Sequence, residues 1–148
     1  MPELFAVDTN LYIGALRDPA VALALRQFLV HAGPRIRLHA VVVLELRAGA
    51  RTLQHRAAMT ALLSAYMRRE RFVTPSFEAY EQAGRVIADL AEKERFDAHA
   101  TPSFVQDVLV ATSCREAGVT LVTANHADFT RIGRHLRGFR AVPPWPGA

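Results

Sequence analysis

The chain has 148 residues, a size that fits one domain, and 51% of them are hydrophobic, which excludes a wholly disordered chain. Its one cysteine, Cys114, excludes an intrachain disulfide. The formal net charge is +4, and every one of the 18 basic residues except Lys93 is arginine. Because the planar arginine fork matches phosphate geometry, this charge is compatible with a polyanionic partner.

Apolar runs and helical periodicity alternate along the whole chain. In chain order, the predicted elements are a strand at 4–7, the start of a helix at 11–16, a helix at 19–32, a strand from 36 that leads into a helix at about Val43, a helix from about Thr52 to Arg69, a brief strand at 71–73, a helix that begins at 75–76, a loop at 92–102, a helix at 104–116, a strand at 119–122, a short helix at 125–136 and a last strand at 139–142.

Several residue types mark the predicted helix ends. Asp18 followed by Pro19 is typical of a helix start, and Gly33-Pro34 of a stop. Ser103 is a good cap for the helix that follows it, and Gly118 ends that helix. Since strands alternate with helices and no linker divides the chain, the sequence predicts one α/β domain with a mainly parallel sheet covered on both faces.

The N-terminal segment gives no sign of export. It carries Glu3, Asp8 and Asn10 within its apolar stretch and lacks a basic leader, so we do not expect a signal peptide. No stretch approaches the roughly 20 apolar residues that span a bilayer. We therefore expect a cytoplasmic protein.

Acidic and amide side chains occupy strand ends and helix starts in distant parts of the chain. They are Asp8 after the first strand, Glu45 after the second, Asp107 in the first turn of its predicted helix, and Asn125 and Asp128 after the strand at 119–122. Because the carboxyl ends of parallel strands share one edge, these groups are expected to converge there. Each has an ordinary structural alternative, such as a helix cap for Asp8, so the constellation carries the hypothesis.

Clustered carboxylates repel one another unless some are protonated or a cation lies among them. Hard oxygen ligands without cysteine favour Mg²⁺ or Mn²⁺ over zinc, and the six histidines show no zinc-ligand spacing. A divalent ion with open positions can activate water and stabilise charge on a phosphate. The acids of a basic protein therefore point to a phosphodiester substrate.

The residues AVDTN at 6–10, LELRAG at 44–49, FVQDVLVATSCREAGVTLVTAN at 104–125 and the ADF after them resemble the PIN domain, specifically the VapC-type toxins. The resemblance implies a three-layer α/β/α fold with four or five strands, which we expect over residues 1–142. The proline residues that follow predict an extended tail at 143–148. The stretch 92–102 matches no part of the family pattern.

The resemblance also implies site residues. Asp8, Glu45 and Asp107 match the metal-binding acids, Asn125 matches the fourth site position, with Asp128 as the alternative metal ligand there, and Thr9 matches a supporting hydroxyl. The implied activity is an Mg²⁺- or Mn²⁺-dependent endoribonuclease that leaves a 5′-phosphate and a 3′-hydroxyl.

The resemblance further implies the partners of a toxin: RNA, a cognate antitoxin protein and a second copy of the chain. Candidates for holding the RNA backbone are three arginines near the predicted site: Arg17, Arg47 and Arg51.

Other readings fit less well. A response regulator needs a lysine on a late strand, and the sole lysine, Lys93, lies in a helical charge run. A haloacid-dehalogenase phosphatase needs Asp-x-Asp, which Thr9 and Asn10 do not supply, and no glycine-rich phosphate loop is present. The remaining alternative is a non-catalytic PIN-like RNA-binding or scaffold protein, which Asn125 in place of an acid favours.

Overall fold

The computed structural model describes residues 2–67 and 71–147, and within these ranges five strands alternate with seven α-helices. The elements are β1 (Leu4–Val7), α1 (Thr9–Arg17), α2 (Pro19–Ala32), β2 (Ile36–His39), α3 (Ala40–Gly49), α4 (Leu53–Met67), β3 (Phe72–Val73), α5 (Phe77–Glu94), α6 (Pro102–Ala117), β4 (Val119–Val122), α7 (His126–Gly133) and β5 (Ala141–Val142). Arg68 and Arg69, the predicted end of the fourth helix, lie outside the described residues, as do Met1 and Ala148.

The sheet is parallel throughout, with strand order β3-β2-β1-β4-β5. β1 lies at the centre, where Phe5 pairs with Ile36 of β2 and Val7 pairs with Val122 of β4. The chain builds outward from β1 through β2 to β3 and then crosses to the other side of β1. The strand order thus reverses between β1 and β4, and ligand sites of such sheets form at the carboxyl ends of the strands at this switch point.

Two helical layers cover the sheet, because successive strand side chains point to opposite faces. Ala6 and Leu121 pack with α5, α6 and α7, whereas Phe5, Val7 and Val122 pack with α1 to α4. The fold is therefore the expected three-layer α/β/α arrangement. None of the helices within the described ranges is long and apolar enough to cross a bilayer.

Some helix ends differ from the prediction. The second strand does not continue toward Val43, because the Nδ1 atom of His39 accepts a hydrogen bond from the backbone N–H of Val41 at 3.0 Å and caps α3, which begins at Ala40. Ser103 is not the cap of α6, because the helix begins two residues earlier than predicted, with Pro102 as its first residue and Thr101 in the cap position. The first error arises because the apolar run continues across the boundary between β2 and α3.

Two further elements are shorter than predicted, and one predicted helix end is confirmed. The predicted loop at 92–102 is shorter, since α5 continues to Glu94 and the short 3-10 helix Ala98–Ala100 precedes α6. The last strand covers only Ala141–Val142. Gly118, at φ 68°, ends α6 as predicted, in a left-handed conformation that glycine adopts without steric cost.

The C-terminal tail folds back onto the second helix. The Trp145 ring lies 5.4 Å from the Phe28 ring, centroid to centroid, and packs against the core cluster beneath α2. The tail that follows β5 is therefore held by an aromatic contact.

Candidate active site

Asp8 lies at the carboxyl end of the central strand and is 5% exposed. It caps α1: its Oδ1 atom accepts a hydrogen bond from the Thr9 N–H at 2.8 Å. Its Oδ2 atom accepts a hydrogen bond from the Thr123 hydroxyl at 2.7 Å. Burial raises the pKa of this carboxyl, and the two hydrogen bonds oppose that shift. Both carboxylate oxygens are thus held by neighbouring backbone and side-chain groups.

Thr9 connects Asp8 to the second acid. The Thr9 hydroxyl donates a hydrogen bond to the Oε1 atom of Glu45 at 2.8 Å, across a separation of 36 residues. Glu45 is carried by α3, whose start is fixed by the His39 cap at the end of β2. Burial raises the pKa of Glu45, the Thr9 hydrogen bond lowers it and the Asp8 carboxylate raises it. The structure therefore brings Asp8, Thr9 and Glu45 together.

Asp107 joins the cluster from α6 on the opposite face of the sheet. It lies in the second turn of the helix rather than the predicted first turn, because α6 begins at Pro102. Burial, followed by the carboxylates of Asp8, Glu45 and Asp128, raises the pKa of Asp107 to about 8. This shift favours the protonated form of the Asp107 carboxyl at neutral pH, which reduces the repulsion among the four acids.

Asn125 and Asp128 form a pair at the end of β4. The Asn125 side-chain amide donates to the Oδ2 atom of Asp128 at 3.0 Å, and Asn125 caps α7. Both candidates for the fourth position thus lie on the same side of the cluster.

Thr123 is the one member of this network that the sequence analysis missed. Its hydroxyl accepts a hydrogen bond from the Asn125 N–H at 3.0 Å and donates its own proton to Asp8, so it joins the exits of β1 and β4. The available signal was a threonine that directly follows a buried strand and precedes the predicted site amide. Threonine is also common within strands, which conceals such a residue.

The three predicted arginines lie in different places. Arg17 lines a cavity together with Glu45. Arg47 donates a hydrogen bond to the Thr60 hydroxyl on α4 at 2.8 Å, and Arg51 is exposed just beyond α3. Of the three, Arg17 is the one that shares a surface with the acid cluster.

The donor chemistry of the cluster fits a hard divalent cation. Its ligands would be carboxylate oxygens from Asp8, Glu45 and Asp107, with Asp128 or the Asn125 amide oxygen beside them. Within residues 2–67 and 71–147, however, no three acidic, histidine or cysteine side chains already form a coordination shell. These groups would therefore have to move closer together before they could share one ion.

These features define a doubly wound α/β/α domain with a carboxylate cluster at its switch point. The sequence matches the PIN domain family over residues 5–135, and the chain belongs to that family. No curated protein matches the sequence.

Three solved structures illustrate the similarity of the fold. The DNA-bound VapBC of Salmonella typhimurium has a TM-score of 0.72 and 22% identity over 96% of this chain and 98% of that one. FitAcB of Neisseria gonorrhoeae has a TM-score of 0.69 and 16% identity over 97% and 99%. VapBC-1 of nontypeable Haemophilus influenzae has a TM-score of 0.63 and 21% identity over 95% and 97%. At these identities the likeness shows the fold.

Proposed function

We propose that this PIN domain is a metal-dependent endoribonuclease and the toxin of a VapBC-type toxin–antitoxin module. The observation that carries the proposal is the convergence of Asp8, Glu45 and Asp107, from three separate elements, at the switch point of the sheet. Such a cluster of mutually repelling acids destabilises the fold, and its persistence is explained by a function that uses it.

The residues divide the chemistry among them. Asp8, fixed by Thr123 and by the Thr9 N–H, presents a carboxylate of set orientation, and Glu45 is oriented by the Thr9 hydroxyl. A bound Mg²⁺ or Mn²⁺ would supply Lewis acidity and offset charge on the phosphate. The attacking water gives its proton to a carboxylate of the cluster, and the new P–O bond forms in line. The bond to the 3′ oxygen breaks as that oxygen takes up a proton from water, which leaves a 3′-hydroxyl. Arg17 contacts the RNA backbone.

Partners follow from the nature of the solved structures. The complexes from Salmonella typhimurium, Neisseria gonorrhoeae and Haemophilus influenzae carry the names VapBC and FitAcB. These names support our proposal of a cognate antitoxin for this chain. We propose a homodimer only from the resemblance to the VapC-type toxins.

The test is RNA 5′-end mapping after induced expression of the wild type, Asp8→Asn and Asp18→Asn. Asp18 is the matched control, because it also caps a helix, with its Oδ1 atom 2.9 Å from the Ala20 N–H, but lies outside the cluster. New 5′-phosphate ends are expected with the wild type and Asp18→Asn, and not with Asp8→Asn.

The same ends with all three proteins would contradict the role of Asp8. Absence of new ends in every case, with soluble protein and no antitoxin present, would favour the non-catalytic RNA-binding alternative, for which Asn125 in place of an acid is the supporting feature. Titration of purified protein with Mg²⁺ separates the two, because a scaffold without a metal site shows no saturable binding.

A further inference from the structure

A cavity of about 240 Å³ opens directly beside the acid cluster, between α1, α3 and α4. Glu45 belongs to both places: it lines the cavity and accepts the Thr9 hydrogen bond next to Asp8. A group seated in the cavity is therefore adjacent to whatever the acids hold. The proposed hydrolysis assigns no occupant to the cavity itself.

The cavity is small and largely aliphatic. Its walls include Ile13, Leu46 and Met59, and its polar lining consists of Glu45, Arg17 and His55. Pockets for drug-sized ligands span roughly 300–1,000 Å³, so this one suits a single flat ring system. The carboxylate and the imidazole can hydrogen-bond to the edge of such a ring, while the aliphatic walls contact its faces.

The charge around the cavity favours a polyanion. Arg17 from α1 and His55 from α4 line the cavity, and Arg56 donates a hydrogen bond at 3.2 Å to the carbonyl oxygen of Ala50, another lining residue. No acidic residue occurs between Glu45 and Met67. A ring attached to a phosphate chain matches this surface better than a side chain of a basic peptide, because the phosphates face arginines.

Resting on the proposed nuclease function, we propose that this cavity holds one base of the RNA substrate, from a nucleotide next to the scissile phosphate. Bases of single-stranded RNA are free to leave the stack and enter such a pocket. The cavity then selects where the chain is cut, whereas the acids perform the cut.

Gly49 provides a way to fill the cavity. It lines the space, and a Cβ atom built on it meets nothing within 4 Å, so the side chain of Gly49→Leu can leave the backbone without a clash and occupy part of the cavity. Gly84 is the matched control, because it is also an exposed helical glycine with open space at its Cβ position, but it lies in α5 away from the cavity.

The experiment measures cleavage of a synthetic RNA that contains the mapped site, and of the same RNA with an abasic ribose on either side of the scissile bond. For the wild type and Gly84→Leu, removal of one flanking base is expected to raise KM about 10-fold. Gly49→Leu is expected to show that raised KM on the intact RNA and no further increase on the abasic RNA.

Wild-type KM values for Gly49→Leu on both RNAs would overturn the proposal. If that variant instead cleaves normally and escapes inhibition by the antitoxin, the cavity holds a peptide side chain. If the wild type cleaves no RNA, the nuclease function fails by itself. The cavity is then tested by fluorescence anisotropy with an intact and a fully abasic oligonucleotide of equal length. For each protein, the Kd for the abasic oligonucleotide is divided by the Kd for the intact one. The same ratio for the wild type and Gly49→Leu would reject a base site.

Discussion

Within the part of the chain that the structure describes, charged side chains are paired at the amino end of the sheet and left without salt bridges at its carboxyl end. At the amino end, Glu3 pairs with Arg140 at 3.0 Å and accepts the Thr120 hydroxyl at 2.7 Å, and Arg71 donates to the Gly33 carbonyl oxygen at 2.9 Å. At the carboxyl end, four carboxyl groups face one another. Among the residues that the structure describes, none of those four forms a salt bridge with arginine, lysine or histidine. One end is arranged for stability and the other retains charges that a ligand must balance.

The largest effect that tests this contrast is expected from Asp107→Asn. Because burial and neighbouring carboxylates raise the Asp107 pKa to about 8, the group destabilises the fold at every pH above its unfolded pKa. We expect nuclease activity to fall about 100- to 10,000-fold, and the free energy of unfolding to increase by about 1 to 2 kcal/mol at pH 8.

Single-turnover cleavage and urea unfolding measure the two effects. Glu116→Gln, on the same helix but outside the cluster, serves as the control and should leave activity unchanged. Full activity of Asp107→Asn would remove Asp107 from the site, and a loss of stability would contradict the raised pKa of its carboxyl.

The next prediction concerns the pH dependence of stability and a buried histidine. His39 is the last residue of β2 and is 1% exposed. Its Nδ1 atom accepts the Val41 N–H, so its Nε2 atom carries the proton and donates to the Ser113 hydroxyl at 2.6 Å. Burial lowers the pKa of His39 to about 4. Its neutral form therefore stabilises the fold above about pH 6.5, the usual unfolded value, and this contribution is lost as pH falls toward 4.

The expected loss from this group is on the order of 3 kcal/mol between pH 7 and pH 4. His39→Asn keeps a capping side chain without a titrating ring, so its stability should fall less over the same range in urea unfolding. Parallel pH curves for the two proteins would refute the assignment.

Thr120, inside β4, and Thr123, directly after it, allow a direct comparison of the two ends of the sheet. Thr123→Val removes the hydrogen bond to Asp8, and Thr120→Val removes the one to Glu3. Because Thr123 orients a proposed metal ligand, its loss should lower activity about 10- to 100-fold, as loss of such supporting groups does. Thr120→Val should retain the activity of the wild type, at some cost in thermal stability.

Cleavage rates at saturating Mg²⁺, with melting temperatures measured alongside, distinguish the two variants. Equal activities would show that the hydrogen bond between Thr123 and Asp8 contributes only to folding.

The smallest expected effect is the change in stability on substitution of Gly118, at the amino end of the sheet. Gly118 has φ 68° and open space at its Cβ position, so Gly118→Ala meets no clash and costs only backbone strain, about 1 kcal/mol. Gly84→Ala, inside α5, should stabilise the protein slightly. Both should cleave RNA like the wild type. Reduced cleavage by Gly118→Ala at a temperature where it is fully folded would show that the two ends are coupled.

Elements with a regular pattern or a strong terminal signal could be predicted from the sequence. The strand before Asp8 is short, apolar and ended by a charge, and Gly118 marks the end of α6 unambiguously. The boundary between β2 and α3 could not be placed, because Ala40 to Val43 is apolar in either conformation and the deciding cap comes from a buried histidine.

For the site, parallel topology predicts the placement of Asp8, Asn125 and Asp128, since these residues follow directly after strands. Glu45 and Asp107 lie in the second turns of α3 and α6, so their approach to Asp8 also depends on how those helices pack. The role of the Thr123 hydroxyl could not be predicted, because it depends on the distance between the ends of β1 and β4. Thr123 and Asp8 are 115 residues apart in the chain. The distances between the acids, which decide whether they can share an ion, likewise cannot be predicted from residue spacing.

The contact between Trp145 and Phe28 has a practical consequence for spectroscopy. Trp145 is the sole tryptophan, so indole fluorescence excited at the red edge of absorption originates from one place, the junction of the C-terminal tail with α2. Release of the tail would shift that emission to longer wavelength while helical circular dichroism stays constant. Cooperative unfolding changes both signals together. The protein thus carries an intrinsic optical label for the docking of its own C-terminus.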